Sequence, residues 1–152
     1  MQPPPTDPIE QLQWLVHRAA ITDLQSEYAR CLDDKDFITW QSLFTDDAEL
    51  HMPYESIKKP DLPAAAHRVL NYYPGTQHLL GQGYIEINGN TARGRRYLSA
   101  IHVPDKEPGK VHADLGGWYK HEYRLTSEGW KFTSITATFV WLNGEDFRTP
   151  PP

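Results

Sequence analysis

The chain has 152 residues, 39% of them apolar and 23% charged, with a formal net charge of −5; that length and balance suit one folded domain with a real core. No basic block points to nucleic acid or an anionic membrane as partner, and no apolar run approaches the roughly 20 residues of a membrane span. Cys31 is the only cysteine, which excludes an internal disulfide and fits a reducing, cytoplasmic setting.

The first residues, Met1 to Pro8, have neither the basic region nor the apolar stretch of a signal peptide, and their prolines predict a disordered tail over residues 1–8. Asp7 followed by Pro8 reads as an N-cap with proline at the first helical position. Leu12, Leu15, Val16, Ala19, Ala20, Leu24, Tyr28 and Cys31 then recur at helical spacing, predicting a long amphipathic helix that ends near Asp33 and Asp34. Asp36 caps a second short helix through Phe37, Trp40, Leu43 and Phe44. Ala48 to Met52 alternates as a short strand, and Pro60 and Pro63 bracket the start of a third helix that stops before Pro74 and Gly75.

After Gly75 the period changes to two. Thr76 to Asn88 reads as a strand with Gly81 and Gly83 as bulge positions, and Asn88-Gly89-Asn90 as a hairpin turn. Thr91 to Pro104, Val111 to Leu125 and Trp130 to Leu142 are three further strands, separated by a polar loop at Asp105 to Lys110 and a turn at Thr126 to Gly129. Helices first and long hairpins afterwards predict an α+β domain over residues 9–145, a curved antiparallel sheet packed around one long and two shorter helices, with a tail at 146–152.

A curved sheet closed by a helix makes a blind, largely apolar cavity, the ordinary form of a small-molecule site. Strand parity turns Leu98, Ala100 and His102 inward on one strand, and Val111, Ala113, Leu115, Gly117, Tyr119, His121 and Tyr123 inward on the next. Asp33 is either a solvated helix-terminal acid or, at the lip of the cavity, the partner of His78, because a buried carboxylate is costly unless paired. An imidazole held in one tautomer by a carboxylate is a suitable base near neutral pH. His17, His51, His67, His112 and His121 read as surface or packing residues, and Cys31 as a small core residue. The spacing of His78, His102, His112 and His121 lacks the compactness of a zinc site, so no metal or other cofactor is expected.

The run Tyr28-Ala29-Arg30-Cys31-Leu32-Asp33-Asp34-Lys35-Asp36-Phe37, with Leu43-Phe44-Thr45-Asp46-Asp47-Ala48, Thr76-Gln77-His78 and Gly129-Trp130-Lys131-Phe132, resembles the SnoaL-like proteins of the nuclear transport factor 2-like superfamily. The likeness spans roughly residues 10–145 and is strongest to the scytalone dehydratase-like family. It implies a cone-shaped α+β barrel, metal-free elimination, and a homo-oligomer, with a trimer preferred over a dimer. It places a catalytic set on Asp33, His78 and His102, and a likeness to the bile acid dehydratase of the same superfamily adds Tyr28. The chain departs from the scytalone dehydratase pattern where Leu32 and Met52 replace two tyrosines and Gly117 and Tyr119 replace a serine and an asparagine. Phe139 stands where the bile acid enzyme has an arginine.

The expectation is therefore a cofactor-independent dehydratase acting on a hydroxylated cyclic or polyketide-like small molecule, with Trp40, Phe44, Tyr54, Tyr119 and Phe139 shaping the substrate pocket. An isomerase or cyclase with the same dyad, or a non-catalytic small-molecule-binding domain, are the alternatives. The alternation Thr133, Ile135, Ala137, Phe139 and Trp141 is expected to give the sheet an apolar outer face for subunit contact.

Overall fold

The computed structural model describes residues 2–104 and 111–144. Helix α1 (Pro8–Asp33) starts where the sequence places it, with the Asp7 carboxylate accepting from the backbone N–H groups of Ile9 and Glu10. Helix α2 (Phe37–Ser42) is capped by Asp36, and α3 (Leu62–Leu70) follows a 3₁₀ turn at Lys59–Asp61. The strands are β1 (Phe44–His51), β2 (Ser56–Lys58), β3 (Gly75–Asn88), β4 (Thr91–Val103), β5 (Ala113–Thr126) and β6 (Gly129–Gly144).

The six strands form one sheet in the order β2-β1-β6-β5-β4-β3. All neighbouring pairs are antiparallel except β1 with β6, which run parallel. The expected α+β architecture is present, with one parallel pair and one short strand, β2, that the sequence reading lacks. The polar loop at 105–110 and the tail at 146–152 lie outside the described residues.

Three bulges along the hairpins coil the sheet around α1. One falls between Leu80 and Gly83, as the two glycines predict. A Cβ at Gly83 would stand 2.1 Å from the Arg95 carbonyl oxygen, so only glycine fits there. The other two are in β6, where register shifts leave Thr133 and Val140 without a partner on β5. Their effect is to correct the expected outer face: Ile135 and Ala137 are buried in the core and Phe139 packs against it. Thr133 absorbs the phase change, so Phe132 and Ile135 both point inward although they are three apart in sequence.

The core is mostly aromatic. Tyr28, Trp40, Phe44, Phe132 and Tyr123 form a continuous series of ring contacts from the middle of α1 to β5 and β6. Such pairs add about 0.5–1.5 kcal/mol each beyond their burial. Beside them Gln25, fully buried, accepts from Arg96 Nε and donates to the Tyr123 hydroxyl, which satisfies a polar group that the helical pattern does not announce.

Two further expectations are revised. Ile9, Leu12, Leu15 and Val16 remain exposed, because the early turns of α1 meet the sheet with His17 and Arg18 instead: Trp130 on β6 donates to His17, and Arg18 donates to the Ile85 carbonyl on β3. Val111 is also exposed rather than turned inward, because β5 begins only at Ala113. Gln2 donates to the Ile87 carbonyl at 2.9 Å and accepts from its N–H at 2.7 Å, pairing with the open edge of β3 as a short strand would.

Candidate active site

The last residue of α1 sets the geometry. Asp33 faces β3, and its carboxylate takes two hydrogen bonds from one residue: His78 Nδ1–H at 2.7 Å and the His78 backbone N–H at 2.9 Å. A clamp of this kind fixes both the position and the tautomer of the ring. The proton sits on Nδ1, which leaves Nε2 as the basic nitrogen. Burial pulls the Asp33 carboxyl upward, but the hydrogen bonds from His78 outweigh it and hold the group below its ordinary value. The solvated-acid reading of Asp33 is thereby set aside; its side chain is 26% exposed and that of His78 only 6%.

The cavity is narrow, with a volume of about 80 Å³, below the usual range for small-molecule pockets. Helices α1 and α2 contribute Tyr28, Leu32 and Trp40, and α3 contributes Ala65, Ala66 and Val69. Leu98, Ala100 and His102 come from β4, Leu115 and Tyr119 from β5 and Phe139 from β6, while His78 supplies a polar edge. Asp33 is not part of the lining: it stands behind His78, where it can orient the ring but not touch a ligand.

His102 is buried beside His78, the two ring centroids 5.4 Å apart and the planes nearly perpendicular. The register explains this, since Thr76 pairs with His102 and His78 with Ala100 on the neighbouring strand. His102 Nδ1–H donates to the Ala113 carbonyl at 2.7 Å. Burial first, and the nearby His78 second, push its titration down to about 4, so it is neutral at neutral pH.

Tyr28 and Tyr119 both line the cavity and meet edge to face, their ring centroids 5.8 Å apart. Burial raises both phenols, Tyr119 to about 12 and Tyr28 well above the usual value, so both stay protonated and able to donate. Of the expected pocket residues, Trp40, Tyr54, Tyr119 and Phe139 line the cavity, Tyr54 at the half-open mouth. Phe44 does not: it is completely buried behind Tyr28 and Trp40, because β1 begins at Phe44 and turns the ring into the core.

The sequence reading missed Thr76 and Lys35. Thr76 helps to hold the Asp33 carboxyl low, and Lys35 Nζ donates to Thr76 Oγ1 at 2.6 Å. The run Asp33-Asp34-Lys35-Asp36 looks like a solvated helix end, and nothing in its composition marks one residue as turned inward. Among the described residues, no group of three or more His, Cys, Asp or Glu side chains is arranged to hold a metal ion. No helix among them is long and apolar enough to cross a membrane.

The profile of the SnoaL-like domain matches residues 13–136, and the chain belongs to that family, within the nuclear transport factor 2-like superfamily. A curated relative, an uncharacterised protein of Mycobacterium tuberculosis strain H37Rv, is 23% identical over 128 residues, covering 80% of this chain and 84% of its own. Among solved structures, a candidate scytalone dehydratase from Novosphingobium aromaticivorans superposes with a TM-score of 0.80 at 22% identity, over 91% of this chain and 93% of that one. A type 2 hexachlorocyclohexane dehydrochlorinase superposes with a TM-score of 0.76 at 23% identity, over 89% and 93%. At these identities the two structures share the fold.

Proposed function

We propose that this chain is a cofactor-independent lyase of the dehydratase type, acting on a hydroxylated cyclic or polyketide-like ketone. The observation that carries the reading is the double hydrogen bond from His78 to Asp33 at the edge of an apolar cavity. His78 Nε2 removes a proton from the carbon next to the substrate carbonyl, and the C–H electron pair moves into an enolate. Asp33 keeps the ring in the productive tautomer and stabilises the imidazolium, as the carboxylate of a catalytic triad does.

The enolate then re-forms the carbonyl and expels the hydroxyl at the neighbouring carbon, which leaves as water. The proton for that step comes from His78 itself, since neutral His102 has its N–H committed to Ala113. Tyr28, backed by Tyr119, is the donor placed to stabilise the enolate oxygen, a role worth about 10²–10³ in rate. His102, in its neutral form, accepts a hydrogen bond from the substrate hydroxyl and holds it in line. The names borne by the two structural neighbours, a dehydratase and a dehydrochlorinase, both describe eliminations and agree with this assignment.

The test is a panel of cyclic β-hydroxy ketones incubated with wild-type protein and with His78→Ala, with products followed by mass spectrometry. Loss of water with the wild type and not with the variant supports the reading. Isomerised or cyclised products of unchanged mass would move the assignment to the alternative chemistries of the same dyad. Binding without turnover would move it to a non-catalytic domain.

A further inference from the structure

Helix α1 ends in a Schellman motif in which the residue after the cap is not glycine. The Asp36 N–H bonds the Cys31 carbonyl at 2.9 Å and the Lys35 N–H bonds that of Leu32 at 3.3 Å. Lys35 occupies the left-handed position, at φ 62°, and is the only non-glycine residue with positive φ among the described residues. Glycine is the usual occupant because a side chain is strained there. Something other than backbone geometry must favour a lysine at this point.

Its side chain gives the reason. The turn carries three acids, and they are sorted between two cations. Arg30 takes Asp34 at 2.8 Å and Asp36 at 3.3 Å on the exposed side. Lys35 turns the other way, half-buried, and donates to Thr76 Oγ1 at 2.6 Å, two residues before the His78 that clamps Asp33. The groups facing the ammonium are Asp33 from α1, Thr76 from β3 and His102 from β4. A positive charge there favours an ionised Asp33 and disfavours a charged His102.

We propose that Lys35 is a positioning residue for the His78–Asp33 pair, its ammonium and Thr76 forming the back wall that fixes the carboxylate. This rests on reading His78 as a general base. The strained backbone is retained because the left-handed turn is what aims the lysine inward.

The test uses Lys35→Met, Lys35→Arg and Lys35→Gly in the full-length protein, with three readouts. The first is the titration of the Asp33 carboxyl by carbon NMR, and the second is the thermal midpoint. The third is ring opening of 5-nitrobenzisoxazole, in which a base removes the ring C–H proton, the C–N triple bond forms and the N–O bond breaks to release a coloured cyanophenolate. Lys35→Met should raise the pH at which Asp33 titrates and slow ring opening about tenfold, and Lys35→Arg should recover most of both. Lys35→Gly should melt no lower than wild type while remaining as slow as Lys35→Met. An Asp33 titration unchanged in Lys35→Met overturns the proposal. So do rate losses that track a lowered thermal midpoint in all three variants, the arginine included. If the wild type opens no benzisoxazole, the general-base reading fails while the Asp33 titration still decides the role of Lys35.

Discussion

The imidazoles of His78 and His102 meet edge-on at 5.4 Å, and their Nδ1 atoms are held by different partners: the Asp33 carboxylate for His78, the Ala113 carbonyl for His102. A carboxylate can stabilise a ring that becomes charged, whereas a neutral carbonyl does so much less. The two histidines are therefore unequal, and the difference is measurable.

On a substrate identified by the β-hydroxy ketone panel, His78→Ala should lose at least about 10²-fold in kcat/KM. Asp33→Asn should lose a comparable factor or more, because the ring is freed to take the wrong tautomer. His102→Gln should lose only about tenfold, as expected of one neutral hydrogen bond to the substrate. Equal losses at His78 and His102 would contradict the division of roles.

Acid stability follows from three groups that shift in the same sense. His102 titrates at about 4 and His121 at about 3 in the folded chain, both below the 6.5 of an unperturbed histidine. Burial is the main cause for each, followed by His78 for His102 and Arg96 for His121. Asp33 is also held low despite its burial, through its bonds from His78. The unfolded chain binds more protons below pH ~6.5, so stability falls as pH drops through that range, by up to about 1.4 kcal/mol per pH unit for each fully effective group. Both ring nitrogens of His121 are buried and unpartnered, so His121→Phe should flatten the decline between pH 6 and 4. Chemical denaturation across that range checks it, and an unchanged slope would contradict the account.

Phe44 and Tyr54 separate core from pocket. Phe44→Ala should cost about 3–5 kcal/mol in unfolding free energy, because the ring is enclosed by Tyr28, Trp40 and Phe132. Tyr54→Ala, at the cavity mouth and 40% exposed, should leave the thermal midpoint within about 1 °C and change KM. A large stability loss at Tyr54 would place it in the core instead.

How much of this was legible in the sequence depends on whether a feature is local. Caps at Asp7 and Asp36, the bulge glycines of β3 and the inward parity of β4 and β5 are short-range patterns, and they hold. Strand β2 spans three residues, Ser56–Lys58, too few for an alternation to be seen. The parallel pairing of β1 with β6 joins residues about 90 apart in sequence, which no local pattern encodes. Two bulges in β6 shift the alternation phase, so Ile135 and Ala137 were expected on the wrong side. Of the site, the meeting of Asp33 with His78 was expected. The inward turn of Lys35 was not, because a positive φ at a non-glycine residue has no signature in composition.

Of the residues expected on the outer face of the sheet, Trp141 is exposed there, beside others that the alternation did not name. Leu79, Tyr97, Val140 and Trp141 are exposed, with Arg95 packed over the rings of Tyr97 and Trp118. Light scattering should find the wild type larger than a monomer, and the double substitution Tyr97→Glu, Val140→Glu should shift it toward monomer by placing charges in an apolar contact. A monomeric wild type would remove the assembly from the proposal.

The most direct measurement of the central claim is the rate of 5-nitrobenzisoxazole ring opening by wild type and by His78→Ala, at neutral pH, with thermal midpoints recorded on the same samples. An Asp33-oriented base in an apolar cavity predicts a wild-type rate well above the buffer reaction and a loss of about 10²-fold or more in the folded variant. A folded His78→Ala that opens the ring as fast as wild type would contradict it.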